Sequence, residues 1–208
     1  MSLNIKTDPK TIVIVGGGSA GHVLPALPVA QRLIERQWQV HFVGTHSGLE
    51  EKLLGDLAIT FHGVAAGKLR RYFSWQNFTD VLRIVLGVVQ SVFLLRRIRP
   101  NVIFSKGGFV SFPLVFAGWL LRIPVLAHES DLTPGLANRL VMPFVSTLCS
   151  SFADTQFAGF KGRVVNTGTP IRDDLLLGDA ESGKRYLGVS DDRDILLVTG
   201  GSLGAEKL

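Results

Sequence analysis

The sequence predicts an α/β fold built on a doubly wound, mostly parallel sheet of the Rossmann-like type. Short β-branched runs alternate along the chain with longer stretches of helical spacing, which is typical of βαβ units. The runs are almost entirely apolar, as strands are when helices cover both faces of a sheet. A glycine-rich loop follows the first run and precedes a helical pattern, which is how such folds commonly begin.

The predicted elements follow one another in this alternation from Thr11 onward. The predicted strands are Thr11–Val15, Val40–Val43, Ile59–Val64, Val102–Phe104, Val125–Ala127, Val145–Cys149 and Val164–Asn166. The predicted helices are Val23–Arg36, Trp75–Arg97, Val110–Leu121 and Leu136–Leu140. The helices have apolar residues at three- and four-residue spacing, whereas the strands are short and rich in β-branched residues.

A change in composition near residue 178 predicts a domain boundary. Gly178–Asp194 is polar and charged, Ile195–Val198 predicts a new strand, and Gly200–Ala205 is a second strand-following glycine loop. We therefore predict a first domain over residues 1–178, a linker over 179–193 and the start of a second domain over 194–208. We expect the chain to be the front part of a two-domain protein.

The composition favours a folded domain with a large core. Hydrophobic residues make up 46% of the 208 residues and charged residues 19%, which excludes a disordered chain. The single cysteine, Cys149, excludes an internal disulfide and suits a reducing compartment. The first ten residues lack an apolar core, so we expect no secretion signal. No apolar run reaches the roughly 18 residues that span a bilayer.

The charge of the chain predicts an anionic partner. The net charge is +5, and seven basic residues but one acid lie between Gly67 and Arg99. Within this window, Lys68–Trp75 mixes basic and aromatic residues. Such a segment suits stacking on nucleic acid, anchoring at an anionic membrane or a solvated loop, and its spacing does not choose among them.

The loop Gly16–Gly21 has the pattern of a phosphate-binding turn. Its glycines let the backbone approach an anion, and the following helix offers free N–H groups. Dinucleotide-binding loops share this pattern, but they also need an acid at the end of the second strand. That position is Val43–Gly44–Thr45, and the first acids come at Glu50 and Glu51 inside the next helix, which weakens an NAD-binding interpretation.

His22 directly follows this loop and is a candidate general base. The positive end of a helix disfavours the imidazolium form, so a neutral ring there is able to accept a proton near pH 7. The alternative is a histidine that caps or packs the helix.

Two further loops follow predicted strands at the same edge of the sheet. His128–Asp131 follows Val125–Ala127, and Ser105–Phe109 contains the glycine pair Gly107–Gly108. Ligands of open α/β sheets bind outside the carboxyl ends of the strands, which favours a site here. The alternatives are carboxylates that cap a helix and a tight glycine turn, with Lys106 meeting either a phosphate or solvent.

Five motifs together resemble the MurG family. They are GGGSAGHVLPALPVA from Gly16, FSKGGFVSFP from Phe104, HESDLTPGLANR from His128, GTPIR from Gly168 and GGSLGA from Gly200. The family pattern differs at several positions: Ala20 stands for glycine, Phe109 for tyrosine, Ser130–Asp131 for Gln–Asn, and Thr169 for asparagine. A carboxylate at Asp131 accepts hydrogen bonds only, unlike the amide it replaces.

The resemblance implies a GT-B fold and an inverting transfer of GlcNAc from UDP-GlcNAc to undecaprenyl-pyrophosphoryl-MurNAc-pentapeptide, the step from lipid I to lipid II in peptidoglycan synthesis. It implies no metal ion, no cofactor, and an anionic membrane surface at the cytoplasmic face rather than nucleic acid as partner. The first domain would bind the acceptor and the second most of the UDP-sugar, so this portion alone is expected to be inactive.

The resemblance also assigns roles to single residues. His22 is the expected base, with Glu129 and Asp131 as rivals. The expected substrate-binding residues are Ser19, Ala20, Gly21, Gly107, Gly108, Phe109, Asp131, Arg172 and Ser202. The expected membrane-binding residues are Lys68, Leu69, Arg70, Arg71, Tyr72, Phe73, Trp75 and Trp119. An NAD-type oxidoreductase domain and a non-catalytic module that binds membrane or acceptor are the competing hypotheses.

Overall fold

Seven parallel strands form one sheet in the order β3-β2-β1-β4-β5-β6-β7. The structure is a computed structural model that describes residues 9–46, 49–67, 76–189 and 195–198. The strands are β1 (Thr11–Val15), β2 (Gln39–Thr45), β3 (Ile59–Val64), β4 (Val102–Ser105), β5 (Val125–Glu129), β6 (Thr147–Ser150) and β7 (Arg163–Asn166). The seven strands predicted between Thr11 and Asn166 are confirmed, and the strand order reverses between β1 and β4, as in the Rossmann fold.

The strand β5 is two residues longer than its apolar run predicts. His128 and Glu129 pair with Cys149 and Ser150 of β6, and both are buried. Polar residues continue the strand because the backbone ladder, and not the side chains, completes its hydrogen bonds. Consequently these two side chains lie on the sheet rather than in the loop after it.

Helices connect the strands and cover both faces of the sheet. They are α1 (Ala20–Val23), α2 (Leu27–Glu35), α3 (Leu49–Leu54), α4 (Gln76–Ile98), α5 (Ser111–Leu120), α6 (Leu136–Val141) and α7 (Ala180–Leu187). The predicted helix Val23–Arg36 begins earlier and is split by a 3-10 turn at Leu24–Ala26. Pro25 and Pro28 lie at the starts of the 3-10 turn and α2, where their missing N–H groups are tolerated best.

Two hydrophobic clusters form the core, one on each face. Val13 and Val15 pack with residues of α4 and α5 in one cluster. Ile12 and Ile14 pack with residues of α1 and α2 in the other. Because successive side chains of a strand point to opposite faces, β1 has to be apolar throughout, which explains the continuous apolar run.

The helix α4 is apolar on its outward side as well as on the side that packs against the core. Its inward side carries Leu95 in the core together with Gly87, Gln90 and Ser91, where a Cβ at Gly87 would lie 2.0 Å from the carbonyl oxygen of Ala65 and Gln90 Oε1 accepts the Ala65 N–H at 2.7 Å. Its outward side carries Val81, Leu82, Val85, Leu86, Val89 and Phe93, all exposed. These residues span about 140° of the helix circumference at 100° per residue. The part of the chain that the structure describes contains no helix long and apolar enough to span a membrane.

The chain divides into two compact units, Met1–Pro170 and Ile171–Leu208. In the second unit, Asp179 caps α7 by accepting the N–H of Ser182 at 2.9 Å. The predicted strand Ile195–Val198 is wrong as far as the described residues show, because these four residues have no regular secondary structure. A strand needs a partner for its ladder, and no described strand pairs with this segment.

We expect Gly87→Ala to destabilise the first unit by about 1–3 kcal/mol, because the added methyl group forces α4 away from the end of β3. Gly21→Ala is the matched control, since it also adds a methyl group to a helix but meets no atom closer than Ser19 Oγ at 3.7 Å. It should change stability by less than about 1 kcal/mol. Urea unfolding of the two variants measures both values, and equal losses would contradict the close approach.

Candidate functional site

The glycine loops after β1 and β4 meet at the point where the strand order reverses. A Cβ at Gly108 would lie 2.0 Å from the carbonyl oxygen of Gly17, so the two backbones are in contact. Gly108 has φ +85° and Gly107 has φ +92°, which side chains rarely adopt. Crevices at such reversal points are where open α/β sheets bind ligands, so the loops place a candidate site here.

The side chain of Glu50 in α3 stabilises the first glycine loop through hydrogen bonds. Its carboxylate is 2% exposed and accepts the N–H of Gly18 at 3.0 Å and the hydroxyl of Thr45 at 3.0 Å. The acid that a dinucleotide-binding loop needs for a ribose is therefore absent from β2, and the nearest one bonds to the loop itself. Because the Glu50 carboxylate already accepts the hydrogen bond of the Gly18 N–H, this N–H is not available to a phosphate.

His22 lies beside the second glycine loop with a defined orientation. Its Nδ1 lies 3.2 Å from the carbonyl oxygen of Lys106. A carbonyl oxygen only accepts, so Nδ1 carries the hydrogen and Nε2 is the accepting nitrogen of the neutral ring. Burial lowers the pKa of His22 most strongly, the Lys106 carbonyl raises it, the Lys106 ammonium lowers it, and Glu129 and Asp131 raise it.

Glu129 organises the turn that follows β5. Its carboxylate accepts the N–H of Asp131 at 2.9 Å, the N–H of Gly135 at 2.9 Å and the side-chain amide of Asn138 at 2.8 Å. A carboxylate with three donors is well suited to fix a loop and poorly suited to take a proton from a substrate. These contacts favour a positioning role for Glu129.

Asn138 of α6 carries the unpaired acceptor of this turn. Its amide nitrogen donates to Glu129 and to the carbonyl oxygen of His128, which fixes the amide orientation. Its Oδ1 is buried and has no partner, and the residue lines the cavity beside Lys106. An unpaired buried acceptor costs free energy, so this oxygen suits a hydroxyl or amide donor of a ligand.

His128 is a structural histidine in its contacts. It is buried, and its Nε2 donates to the carbonyl oxygen of Gly168 at 3.0 Å. Burial lowers the pKa of His128, the Lys106 ammonium lowers it further, and the hydrogen bond to Gly168 raises it. The ring lines neither of the two cavities described next.

Two cavities meet at His22. A polar cavity of about 240 Å³ is lined by Lys106, Glu129, Asp131 and Asn138. An apolar cavity of about 270 Å³ extends between Phe109, Phe112, Ile84 and Leu136. Both cavities include Ser19, His22, Gly108 and Ala137 in their walls. The arrangement suits a ligand with a polar part and an apolar part.

The structure brings most of the predicted site residues together. The predicted residues that line the cavities are Ser19, Gly21, His22, Gly107, Gly108, Phe109, Glu129 and Asp131. Ala20 lines neither cavity, and Arg172 lies in the second unit, where it pairs with Asp174 at 3.4 Å. Ser202 and the predicted membrane segment Lys68–Trp75 lie outside the described residues. Trp119 is 48% exposed.

Sequence comparison identifies the family. The profile of the glycosyltransferase family 28 N-terminal domain matches residues 12–149, which is most of the chain and includes both glycine loops. The chain belongs to glycosyltransferase family 28. The family explains why the glycine loop lacks the ribose acid, and it sets the NAD-dependent oxidoreductase hypothesis aside.

Two of the similar curated proteins share one name. The chain is 46% identical over 197 residues to a UDP-N-acetylglucosamine–N-acetylmuramyl-(pentapeptide) pyrophosphoryl-undecaprenol N-acetylglucosamine transferase of Clostridium kluyveri, covering 95% of this chain and 56% of the relative. It is 49% identical over 196 residues to the protein of that name from Legionella pneumophila strain Lens, covering 94% of this chain and 54% of the relative. The chain thus spans about half the length of the curated relatives it matches.

A solved structure supports the same relationship. The crystal structure of Acinetobacter baumannii MurG has a TM-score of 0.65 and 27% sequence identity, covering 79% of this chain and 46% of that chain. The resemblance to the MurG family that the five motifs predict is confirmed, and so is the Rossmann-like fold of the family 28 N-terminal domain.

Three features of this family 28 domain escape prediction from the sequence. From the sequence, Glu50 stands out only as an acid that comes too late to bind a ribose, and Asn138 only as the asparagine of the HESDLTPGLANR motif. The outward face of α4 has a signal, because its apolar residues recur at helical spacing, but that spacing equally predicts a buried face. Which side packs inward is decided by the contacts of Gly87 and Gln90 with β3.

We expect Glu50→Ala to destabilise the first unit by roughly 1–3 kcal/mol, because the Gly18 N–H and the Thr45 hydroxyl lose a buried acceptor. Glu51→Ala is the matched control, since Glu51 is the exposed neighbour on the same helix. Its effect should stay within about 0.5 kcal/mol. Chemical denaturation measures both, and a stable Glu50→Ala variant would show that the loop is held by other contacts.

Proposed function

We propose that this chain is the acceptor-binding half of an enzyme that transfers GlcNAc from UDP-GlcNAc to undecaprenyl-pyrophosphoryl-MurNAc-pentapeptide. The observation that carries the proposal is the position of His22, which lines both a polar and an apolar cavity and has its Nδ1 bonded to a carbonyl, so that Nε2 is the accepting nitrogen. A lipid-linked sugar has both a polar and an apolar part, so it matches the two cavities. The names of the curated relatives support the same reaction.

In this mechanism His22 acts as the general base. The acceptor hydroxyl attacks the anomeric carbon of GlcNAc, its proton passes to Nε2 of His22, and the bond from that carbon to the UDP oxygen breaks with inversion. Burial keeps the ring neutral at pH 7, which is the form that accepts a proton. Glu129 and Asp131, the rival bases, differ in their contacts: Glu129 is held by three donors, whereas Asp131 is exposed beside the polar cavity.

The remaining predicted residues divide between the two substrates. In this proposal Ser19, Ala20 and Gly21 contact the sugar nucleotide, Gly107 and Gly108 bind substrate through the second glycine loop, and Phe109 borders the apolar part of the acceptor. Asp131 accepts a hydrogen bond from a sugar hydroxyl. Arg172 binds the phosphates of donor or acceptor, and Ser202 lies near the α-phosphate of the donor. We expect neither a metal ion nor a cofactor to be required.

The domain organisation is part of the proposal. We propose an acceptor-binding domain over residues 1–178, a linker over 179–193 and the beginning of a UDP-sugar-binding domain over 194–208. The chain covers 54–56% of the relatives' lengths, which supports a further sugar-nucleotide-binding domain in the full-length protein. On this basis the 208-residue chain alone binds acceptor or membrane without transferring sugar.

We also propose a peripheral position at the cytoplasmic membrane face, and the outward surface of α4 supports the contact with a membrane. Its outward apolar residues include Phe93, 67% exposed, and the exposed Arg96 and Arg97 follow on the same helix. Trp119 of the neighbouring α5 is stacked on Phe116 at 5.7 Å between ring centroids. Apolar side chains beside arginines suit the boundary between acyl chains and anionic headgroups. An anionic membrane, and not nucleic acid, is therefore the proposed partner of the basic region.

We expect His22→Ala in the full-length protein to lower kcat by about 10²–10⁴-fold, which is the usual contribution of a general base. Binding of UDP-GlcNAc should change little, because His22 is assigned to the acceptor side. His46→Ala replaces an exposed histidine and is the control. Initial rates of GlcNAc transfer measure the effect, and a fully active His22→Ala enzyme would exclude His22 as the base.

The pH profile follows from the direction of the His22 shift. The base works in its neutral form, and burial places the pKa of His22 below its ordinary value of about 6.5. The acid limb of the profile should therefore have its midpoint below pH 6.5, with full activity near pH 8 and a loss at lower pH as His22 gains a proton. A profile of kcat/KM from pH 5 to 8 tests this, and a midpoint at or above pH 6.5 would contradict it.

We expect Leu82→Gln with Phe93→Gln to weaken binding of the full-length protein to phosphatidylglycerol vesicles by tenfold or more, since each buried apolar side chain contributes about 1.5–3 kcal/mol. Phe152→Gln with Val164→Gln is the matched control, because both residues are exposed but lie away from α4. Vesicle sedimentation measures binding. Equal losses in the two double variants would exclude α4 as the membrane face.

A further inference from the structure

Lys106 is a buried lysine in the wall of the polar cavity. Its side chain is 2% exposed, and it is the one lysine or arginine among the described residues that line this cavity. Burying an ammonium group costs several kcal/mol unless partners compensate for the lost water. Lys106 lines the same cavity as His22, the proposed base, so its charge is able to act on the imidazole ring.

The contacts of Lys106 leave its charge unneutralised at short range. Its Nζ donates a hydrogen bond to the hydroxyl of Ser130, which is a neutral partner. Within the described parts of the chain, Lys106 makes no ion pair, whereas other lysines and arginines do. Burial lowers the pKa of Lys106, and the more distant Glu129 and Asp131 raise it, so these carboxylates help to keep the ammonium charged.

The same residue also holds the imidazole of His22. The carbonyl oxygen of Lys106 accepts from His22 Nδ1 at 3.2 Å, and the adjacent Gly107 packs against the ring, where a Cβ would lie 3.4 Å from Nδ1. This hydrogen bond orients the ring, but an acceptor at Nδ1 also favours the protonated ring. Glu129 and Asp131, two carboxylates near the ring, also raise the pKa of His22 and so favour its protonated form.

We propose that Lys106 is a positioning residue for His22: its carbonyl presents Nε2 to the acceptor hydroxyl, and its buried ammonium opposes protonation of the ring. The inference rests on the proposed function, in which His22 is the general base. Three charged groups act on the ring, Lys106 from the loop after β4 and Glu129 and Asp131 from β5 and its turn. Of these three charges, only that of Lys106 opposes protonation of the ring, and it adds to the larger effect of burial.

Lys106→Met in the full-length protein removes the charge while it retains the backbone carbonyl and most of the side-chain volume. We expect the acid limb of kcat/KM to move to higher pH by roughly 0.5–1 unit, as a neighbouring charge at partial burial does. Because His22 is neutral in both enzymes at pH 8, the ratio of variant to wild-type kcat/KM should be highest there and should fall as the pH is lowered to 6. Lys161→Met makes the same change at an exposed lysine and should leave the limb in place.

Two results would overturn the proposal. An unmoved acid limb with a raised KM for the lipid-linked acceptor would mean that Lys106 binds an anionic group of the substrate instead. A loss of rate that is equal at every pH would mean that Lys106 only supports the fold. Lys106→Gln provides a second uncharged variant, so that a folding defect of the methionine variant alone does not decide the result.

Histidine NMR separates this inference from the proposed function. In full-length protein with ¹³C-labelled histidine, assigned through His22→Gln, the titration of His22 should move to higher pH in Lys106→Met by the same 0.5–1 unit or so. An unmoved titration would refute the influence of Lys106 on the ring. A moved titration together with an active His22→Ala enzyme would instead refute His22 as the base and leave the electrostatic coupling standing.

Discussion

The backbones of two glycine loops touch where the strand order of the sheet reverses, with Gly108 against the carbonyl of Gly17. Parallel pairing of β1 with β4 brings the two loops to the same edge, and the absence of side chains lets them close upon each other. This contact brings His22, which follows the first loop, onto the carbonyl of Lys106, which begins the second. The orientation of the imidazole is therefore a consequence of backbone packing between distant parts of the sequence.

Two buried carboxylates, those of Glu50 and Glu129, stabilise the loops around this contact. Glu50 holds the loop after β1, and Glu129 holds the turn after β5 through three donors. Each carboxylate satisfies backbone N–H groups that would otherwise be unpaired inside the protein. Glu50 and Glu129 thus both fix the backbone of a loop that borders the crevice. Each is therefore able to affect substrate binding without contacting the substrate itself.

The fold was largely predictable because the signals for it are local. Apolar runs such as Thr11–Val15 predict buried strands, and the βα alternation predicts a parallel sheet, since each segment carries its own periodicity. Errors occur where pairing decides the outcome. The ladder with β6 continues β5 through His128 and Glu129, and Ile195–Val198 has strand composition without a strand partner among the described residues.

The candidate site was predictable in place but not in its contacts. Glycine loops and polar residues after strands locate the crevice, because the carboxyl ends of parallel strands share one edge. The contacts Glu50–Gly18, Lys106–Ser130 and Asn138–Glu129 join residues that are 32, 24 and 9 positions apart, and no short-range pattern specifies such pairs. The sequence also does not determine which face of α4 is turned outward, because an apolar stripe at helical spacing fits a core or a surface equally well.

The touching glycine loops also limit how this protein is able to respond to a ligand. Glycine loops are usually flexible, but here the missing side chains allow the two backbones to touch, so neither loop is able to move toward the other. The contact therefore acts as a fixed part of the crevice wall. Adjustment to ligands of different size falls to the edges of the crevice, where Asp131 and Leu132 are exposed.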